Sequence, residues 1–291
     1  MRRGSGVLLL SVVVLACVAG RVGAIPPPMA LEDRVADSEV VVEGKTVRVM
    51  GDVPTKMGAN LVRCEVKVTR VLKGPLDLKK VNVVCPLPPR REAGPDGMMR
   101  MVAGPSFRKA QVGAKVIWML VSHEKGEGYY RELFYHPMHN EDKIDRVAAV
   151  VAAAADPLKV FDDKKTDKRT RLSAAYLLLR KAVGPEGLPM MDGVVDMSKH
   201  VPVEPAKVNE VIECVIGFIG SMVSDPWPGE FSLARKALYK IGCPVNELRP
   251  KRARGRLSKE AQVAERAKWA EAVRGWWAEH KGSKKLYLPK E

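Results

Sequence analysis

The stretch that most limits what this chain can fold into is Leu61 to Cys85, LVRCEVKVTRVLKGPLDLKKVNVVC. Val62, Cys64, Val66 and Val68 alternate with Arg63, Glu65, Lys67 and Thr69, the period of a strand with one buried and one wet face. Val81, Val83 and Cys85 resume the alternation, and Gly74-Pro75 supplies the turn signal between the arms. The spacing predicts a β-hairpin. With the turn centred on Gly74-Pro75, Cys64 faces Cys85, Val66 faces Val83 and Val68 faces Val81. The Cys64–Cys85 disulfide is the one pairing that spacing itself indicates, and closing that loop contributes roughly 3 kcal/mol if unstrained.

The flanking sequence supplies more strands. Leu31 to Asp37 reads as a short helix, with Leu31 and Val35 at i,i+4 and acidic residues early. Val40 to Val49 reads as a first strand, with Gly44 marking a bulge or bend. Pro86 to Pro105, rich in Pro, Gly and Arg, reads as a long, mobile surface loop. Val116 to Val121 is nearly all apolar, as a strand buried on both faces is. Tyr129 to Tyr135 alternates again and closes the set. Five strands over residues 31–136 predict a small antiparallel β-barrel or sandwich.

Four short runs carry a resemblance. They are Leu31-x-Asp33-Arg34-Val35-x-Asp37-Ser38-x-x-Val41-x-x-Gly44, then Val66-x-Val68-x-x-Val71-Leu72-Lys73-Gly74, then Val81-x-Val83, and Val112-Gly113 ahead of Val116 to Leu120. Together they resemble a β-domain of bacterial exported proteins that is similar to the OB-like barrel of netrin and tissue-inhibitor-of-metalloproteinase modules. The resemblance implies an OB-like barrel and carries no catalytic residue. The N-terminal cysteine with which such inhibitors chelate metal is absent after Ala24, so inhibitor function does not carry over.

Past His136 the composition switches to helical patterns, giving an α+β chain with an irregular all-α domain over residues 142–288. Glu141 to Ala155 is acidic, then alanine-rich, and is closed by Asp156-Pro157. Thr166 or Asp167 caps a helix from Lys168 to Val183, with Leu172, Ala175, Tyr176 and Leu179 on one face. Gly187 to Pro205 reads as a loop. Val208 to Val223 is amphipathic along Val208, Val211, Ile212, Val215, Ile219 and Met222. Phe231 to Ile241 is helical with Gly242 after it. Ser258 caps a last helix whose Trp269, Val273, Trp276 and Trp277 form a core face, while Trp227, between two prolines, is expected at the surface. Arg171-Leu172-x-Ala174-Ala175 and Ala234-Arg235-Lys236-Ala237-Leu238-x-x-Ile241-Gly242 resemble the second helices of HEAT-like repeats.

The start of the chain reads as a secretory signal peptide over residues 1–24. Arg2-Arg3 is its basic end, Val7 to Ala19 its apolar core, and cleavage falls between Ala24 and Ile25. The alternative is a lipid anchor at Cys17. A third reading is an uncleaved anchor helix. The expectation is a secreted or periplasmic protein, with no later stretch long enough to span a bilayer. Of five cysteines, Cys64, Cys85, Cys214 and Cys243 remain after the leader, an even number that an oxidising compartment allows to pair. Removing Arg2, Arg3 and Arg21 with the leader leaves +12 of the formal +15, a balance that favours anionic partners.

Two features compete for function. Arg249, Lys251, Arg252, Arg254 and Arg256 form a basic run suited to an anionic envelope component, or to nothing beyond solvent. Export and the lack of interleaved aromatics argue against nucleic acid. His136 and His139, with the Met98 to Met101 loop, offer ligands of the type copper takes; the competing reading is a solvent-exposed connector. Catalytic and cofactor motifs such as Gly-x-Ser-x-Gly, His-Glu-x-x-His, the P-loop and GxGxxG are missing. The expectation is a non-enzymatic binding or envelope-associated protein without a cofactor. A metal-handling protein and a hydrolase without a recognisable motif are the alternatives.

Overall fold

A computed structural model describes residues 30–53, 61–86, 91–93, 99–101, 112–113, 115–122, 129–132, 143–182, 197–221, 228–250 and 258–290. The chain is α+β, with a closed N-terminal barrel followed by a helical region. Helix α1 (Leu31–Asp37) leads into β1 (Val40–Val53), which pairs antiparallel with β2 (Leu61–Lys73). Strand β2 pairs with β3 (Lys80–Pro86). Two short strands, β4 (Arg91–Ala93) and β5 (Met99–Met101), pair only with each other among the described residues. Strand β6 (Lys115–Ser122) pairs with β1 and with β7 (Tyr129–Glu132).

The barrel closes in the order β1-β2-β3-β7-β6, with β3 and β7 parallel. This corrects the antiparallel expectation at one seam. Alternating directions cannot be maintained around a ring of five strands, so one neighbouring pair must run the same way. Strand β1 bends to close the ring through several register shifts, one of them at Glu43/Gly44, as the glycine signalled. A Cβ on Gly44 would lie 2.5 Å from Val66 Cγ1 and 3.0 Å from the Lys67 carbonyl oxygen, so the crossing needs the bare backbone.

The hairpin forms, but two residues out of the expected register. Cys64 lies opposite Val83, Val66 opposite Val81, and Cys85 opposite Val62. The alternation determines only which face a residue takes, and a slip of two leaves every face unchanged. The offset arises because β2 runs on to Lys73 against β1, beyond its ladder with β3. Gly74 then turns with φ +109, and the chain rejoins the ladder at Lys80 opposite Lys67. Cys64 and Cys85 are therefore diagonal neighbours, about 7–8 Å apart across the ladder. No disulfide joins the described cysteines Cys64, Cys214 and Cys243. The pairing of Cys64 with Cys85 in direct opposition is thus corrected. The single long loop expected over residues 86–105 is likewise interrupted by the β4–β5 pair.

Strand β6 is buried on both faces, as its composition required. Val116, Trp118 and Leu120 point into the barrel with Val40, Val42, Cys64, Val66, Val81 and Val83. Ile117 and Met119 point outward into the core of the helical region, joined there by Val41 and by Val35 of α1. The two regions consequently share a wall, and α1, read as part of the β-domain, packs with the helices.

The helical region comprises α2 (Ile144–Ala155), α3 (Pro157–Asp162), α4 (Lys168–Lys181), a 3-10 turn (Met197–Lys199), α5 (Pro205–Ser221), α6 (Pro228–Lys240) and α7 (Lys259–His280). Asp167 and Ser258 cap α4 and α7 by accepting from the backbone N–H groups of Thr170 and Ala261 at 3.0 and 3.2 Å. Gly242 adopts φ +75 after α6. Asp156-Pro157 does not simply end α2. Asp156 accepts from Lys159 N and Pro157 opens α3, a first-turn position that needs no N–H. The expected loop before Pro205 contains β8 (His200–Pro202), which pairs with β9 (Tyr287–Pro289) and ties the C-terminal end onto α5's leading edge. Helix α4 is buried nearly all round from Leu172 to Leu179, and Trp269, Val273 and Trp277 of α7 are buried. Trp276 is half-buried and stacks on His280, 4.6 Å between centroids. Among the described residues, no helix is long and apolar enough to cross a membrane.

Candidate functional site

The outward faces of β6, β1, β2 and β3 carry one row of lysines. Lys115 lies opposite Lys45, Lys45 opposite Lys67, and Lys67 opposite Lys80. All four side chains are exposed. Like charges placed directly across a ladder are unfavourable, so the row is a local cost to the fold. Its two ends are offset: Lys115 Nζ lies 3.0 Å from Glu43 Oε1, and Lys80 Nζ lies 2.8 Å from Glu65 Oε2. Among the described residues, Lys45 and Lys67 have no carboxylate partner. Arg48 lies opposite Glu65 and Arg70 opposite Glu43, so the same two carboxylates are shared among several cations. The result is a positively charged outer face whose two central ammonium groups have no carboxylate partner among the described residues.

A second charged cluster joins α1 to the helices. Glu32 Oε1 accepts from Arg146 at 2.9 Å and from Ser173 Oγ at 2.6 Å. Asp33 accepts from the Tyr176 hydroxyl and, at 3.1 Å, from Lys236 Nζ, while Arg180 lies 3.5 Å away and donates to Asp37. Lys73 donates to the carbonyls of Val35 at 2.9 Å, Ala36 at 3.2 Å and Ser38, closing the C-terminal end of α1. Burial lowers the Lys73 ammonium below its ordinary value, and Asp37 opposes the shift. Burial pushes the Tyr176 hydroxyl up, and the hydrogen bond to Asp33 pushes it further, so it stays a neutral donor.

An open cleft of ≈ 510 Å³ lies beside this cluster, lined by Asp33, Tyr176, Arg180, Lys236, Tyr239 and Lys240. Its carboxylate, Asp33, is faced by the Tyr176 hydroxyl, Lys236 and Arg180, and of its two tyrosines Tyr176 donates to that carboxylate. Among the described residues the cleft sets no free general base beside a nucleophile. The cluster works as a clamp between α1, α4 and α6.

Most residues singled out from sequence are not brought together. His136, His139 and Met98 lie outside the described residues, as do Ala24, Ile25, Cys17 and Trp227. Met99 to Met101 form β5. Among the described residues, no group of three His, Cys, Asp or Glu side chains could hold a metal ion. Arg249 pairs with Glu265 at 3.4 Å and sits 5.1 Å over the Trp269 ring, so it packs α7. Lys251, Arg252, Arg254 and Arg256 lie outside the described residues. Burial pushes the Cys243 thiol up to about 12 and also raises Cys214, which makes both poor nucleophiles at neutral pH.

Sequence reading missed both clusters. Lys67 and Lys80 continue the alternation of their strands, and Lys115 is the exposed first residue of the apolar strand β6. Their alignment was not legible, because a hairpin centred on Gly74-Pro75 sets Lys67 against Asn82. Asp33, Asp37 and Lys73 stand inside the short runs that carry the netrin-like resemblance, but nothing local assigns them a role. A scan against known protein families and a search of curated proteins both return no match.

Proposed function

We propose that this chain is an exported, non-catalytic binding module that docks anionic envelope material through the outer face of its barrel. The lysine row across four neighbouring strands carries the reading, because its central pair, Lys45 and Lys67, lacks a counter-ion within the described fold. A face held at an electrostatic cost becomes favourable when an anion covers it. The strand order, with the third and fifth barrel strands parallel, supports an OB-like barrel, a class that presents ligands on its curved strands. It also favours the likeness to netrin-type modules. The HEAT-like reading of the helical region draws support from its two short runs, which fall on α4 and α6, helices that pack together. The leader-like start favours a partner outside the cytoplasm.

Adsorption of the full chain to carboxylate-bearing and to uncharged agarose, across a salt titration, tests the proposal. Retention on the charged matrix alone, falling as salt rises and weakened by Lys45→Gln with Lys67→Gln, is the expected result. Equal retention on both matrices refutes it, as does turnover in hydrolase and redox assays that a single substitution abolishes.

A further inference from the structure

We infer that the occupant of the lysine row is a flexible, linear acidic polysaccharide that wraps the barrel, and not a flat anionic surface. The inference rests on the binding reading above and adds the shape and chemistry of the partner. The barrel closes through five strands, and the row crosses four consecutive ones, β6, β1, β2 and β3. Neighbouring strands are ~4.8 Å apart, so the four Cα positions span about 14 Å along a surface that curves round more than half of the barrel. A plane laid against such a surface meets one or two of these lysines while the others point away. A flexible chain follows the curve and meets them in turn.

The spacing of one ammonium per strand is comparable to the advance of an extended polysaccharide per sugar, which suits one carboxylate per sugar. Around the cations the outward surface is mostly charged or polar, with Glu43, Glu65, Arg48 and Arg70 beside them and the exposed Val47 two positions from Lys45. Asn82 lies opposite Glu65, and Thr69 stands one outward position beyond Lys67. The Asn82 amide suits sugar hydroxyls, as does Thr69 as an acceptor, its own proton being donated to the Glu43 carbonyl at 3.1 Å. The described outward positions of β2 and β3 carry no aromatic ring on which a base could stack, which separates this surface from a single-stranded nucleic-acid platform.

The experiment measures binding of the full chain to three probes across a salt series: polygalacturonate, phosphatidylglycerol vesicles and an oligo-dT strand. Polygalacturonate is expected to bind tightest. Lys45→Glu with Lys67→Glu is expected to weaken it at least tenfold and to make the slope of log K against log salt shallower by about one to two. The milder Lys45→Gln with Lys67→Gln guards against a folding failure and should weaken binding in the same direction. Lys164→Glu with Lys165→Glu, an equal charge change in the turn before α4, should leave binding within twofold. Equal loss in that control overturns the inference, since net charge alone would then explain binding. Tighter binding to vesicles or to oligo-dT also overturns it, while leaving an anionic partner standing. Binding to none of the three overturns the broader proposal as well.

Discussion

Replacing Glu32 by Gln should cost about 3 kcal/mol of folding stability, the lower end of what breaking a buried ion pair removes. Glu32 and Arg146 are 6% and 17% exposed at the side chain, and their 2.9 Å contact is shared with Ser173. Gln keeps the volume but leaves the Arg146 guanidinium buried without its counter-ion. Burial already lowers the proton affinity of that guanidinium, with Glu32 as the largest opposing influence. Arg146→Met should cost a similar amount, because it strands the Glu32 carboxylate. The pair Glu32→Met with Arg146→Met removes both charges together and should cost only about 1 kcal/mol, since a buried pair and an apolar replacement are often close in energy. A double-mutant cycle in urea thus yields a coupling of several kcal/mol and single-variant midpoints lowered by about 1 M, taking a slope near 3 kcal/mol per molar. If both single variants unfold within about 0.5 kcal/mol of the parent, or their effects simply add, the clamp between α1 and the helices does not hold the fold as argued.

Other outcomes follow from the same geometry. Gly44→Ala should destabilise the barrel by about 1–3 kcal/mol, because its Cβ meets Val66 at 2.5 Å and backbone at 3.0 Å; an unchanged urea midpoint contradicts this. Lys45→Gln with Lys67→Gln should stabilise the unliganded chain by roughly 0.2–1 kcal/mol at low salt, and a fall in melting temperature instead means the row is not repulsive. Cys243, raised from 9.0 to about 12 by burial, favours the neutral thiol in the folded state. Its contribution is fully present below about pH 9 and is lost as pH climbs through about 12. Stability of the parent should therefore fall more steeply over that window than stability of Cys243→Ala; parallel pH curves refute the assignment. Cys243 should also resist alkylation at pH 8 until the chain is unfolded, as mass spectrometry can follow.

Local physics accounts for what was legible before any coordinates. Alternation placed Val66, Val81 and Val83 inside a barrel, and the unbroken apolar run at Val116 to Leu120 announced a strand with two dry faces. Asp167, Ser258 and Gly242 act at the helix ends that their side chains, or lack of one, suit. These features depend on a few neighbouring residues, whose spacing is fixed by covalent connection. Other features depend on which distant segment arrives alongside. Parity could not separate Cys64 opposite Cys85 from Cys64 opposite Val83, because both place the cysteines on the same face; the pairing of β2 with β1 as far as Lys73 decided it.

The same two-residue shift brought Lys80 opposite Lys67, and the pairing of β1 with β2 and with β6 extended the row to Lys45 and Lys115. Helix α1 is the first of the described elements, yet it is held through Glu32, Asp33 and Asp37 by residues more than a hundred positions later. Strands β8 and β9, three residues each, are too short to announce themselves and exist through each other. The sequence alone determined the elements, their wet and dry faces and most of their ends, because those are short-range matters of periodicity and capping. Only the tertiary structure decided register, closure and which charges meet, because each of those is a property of two surfaces brought together.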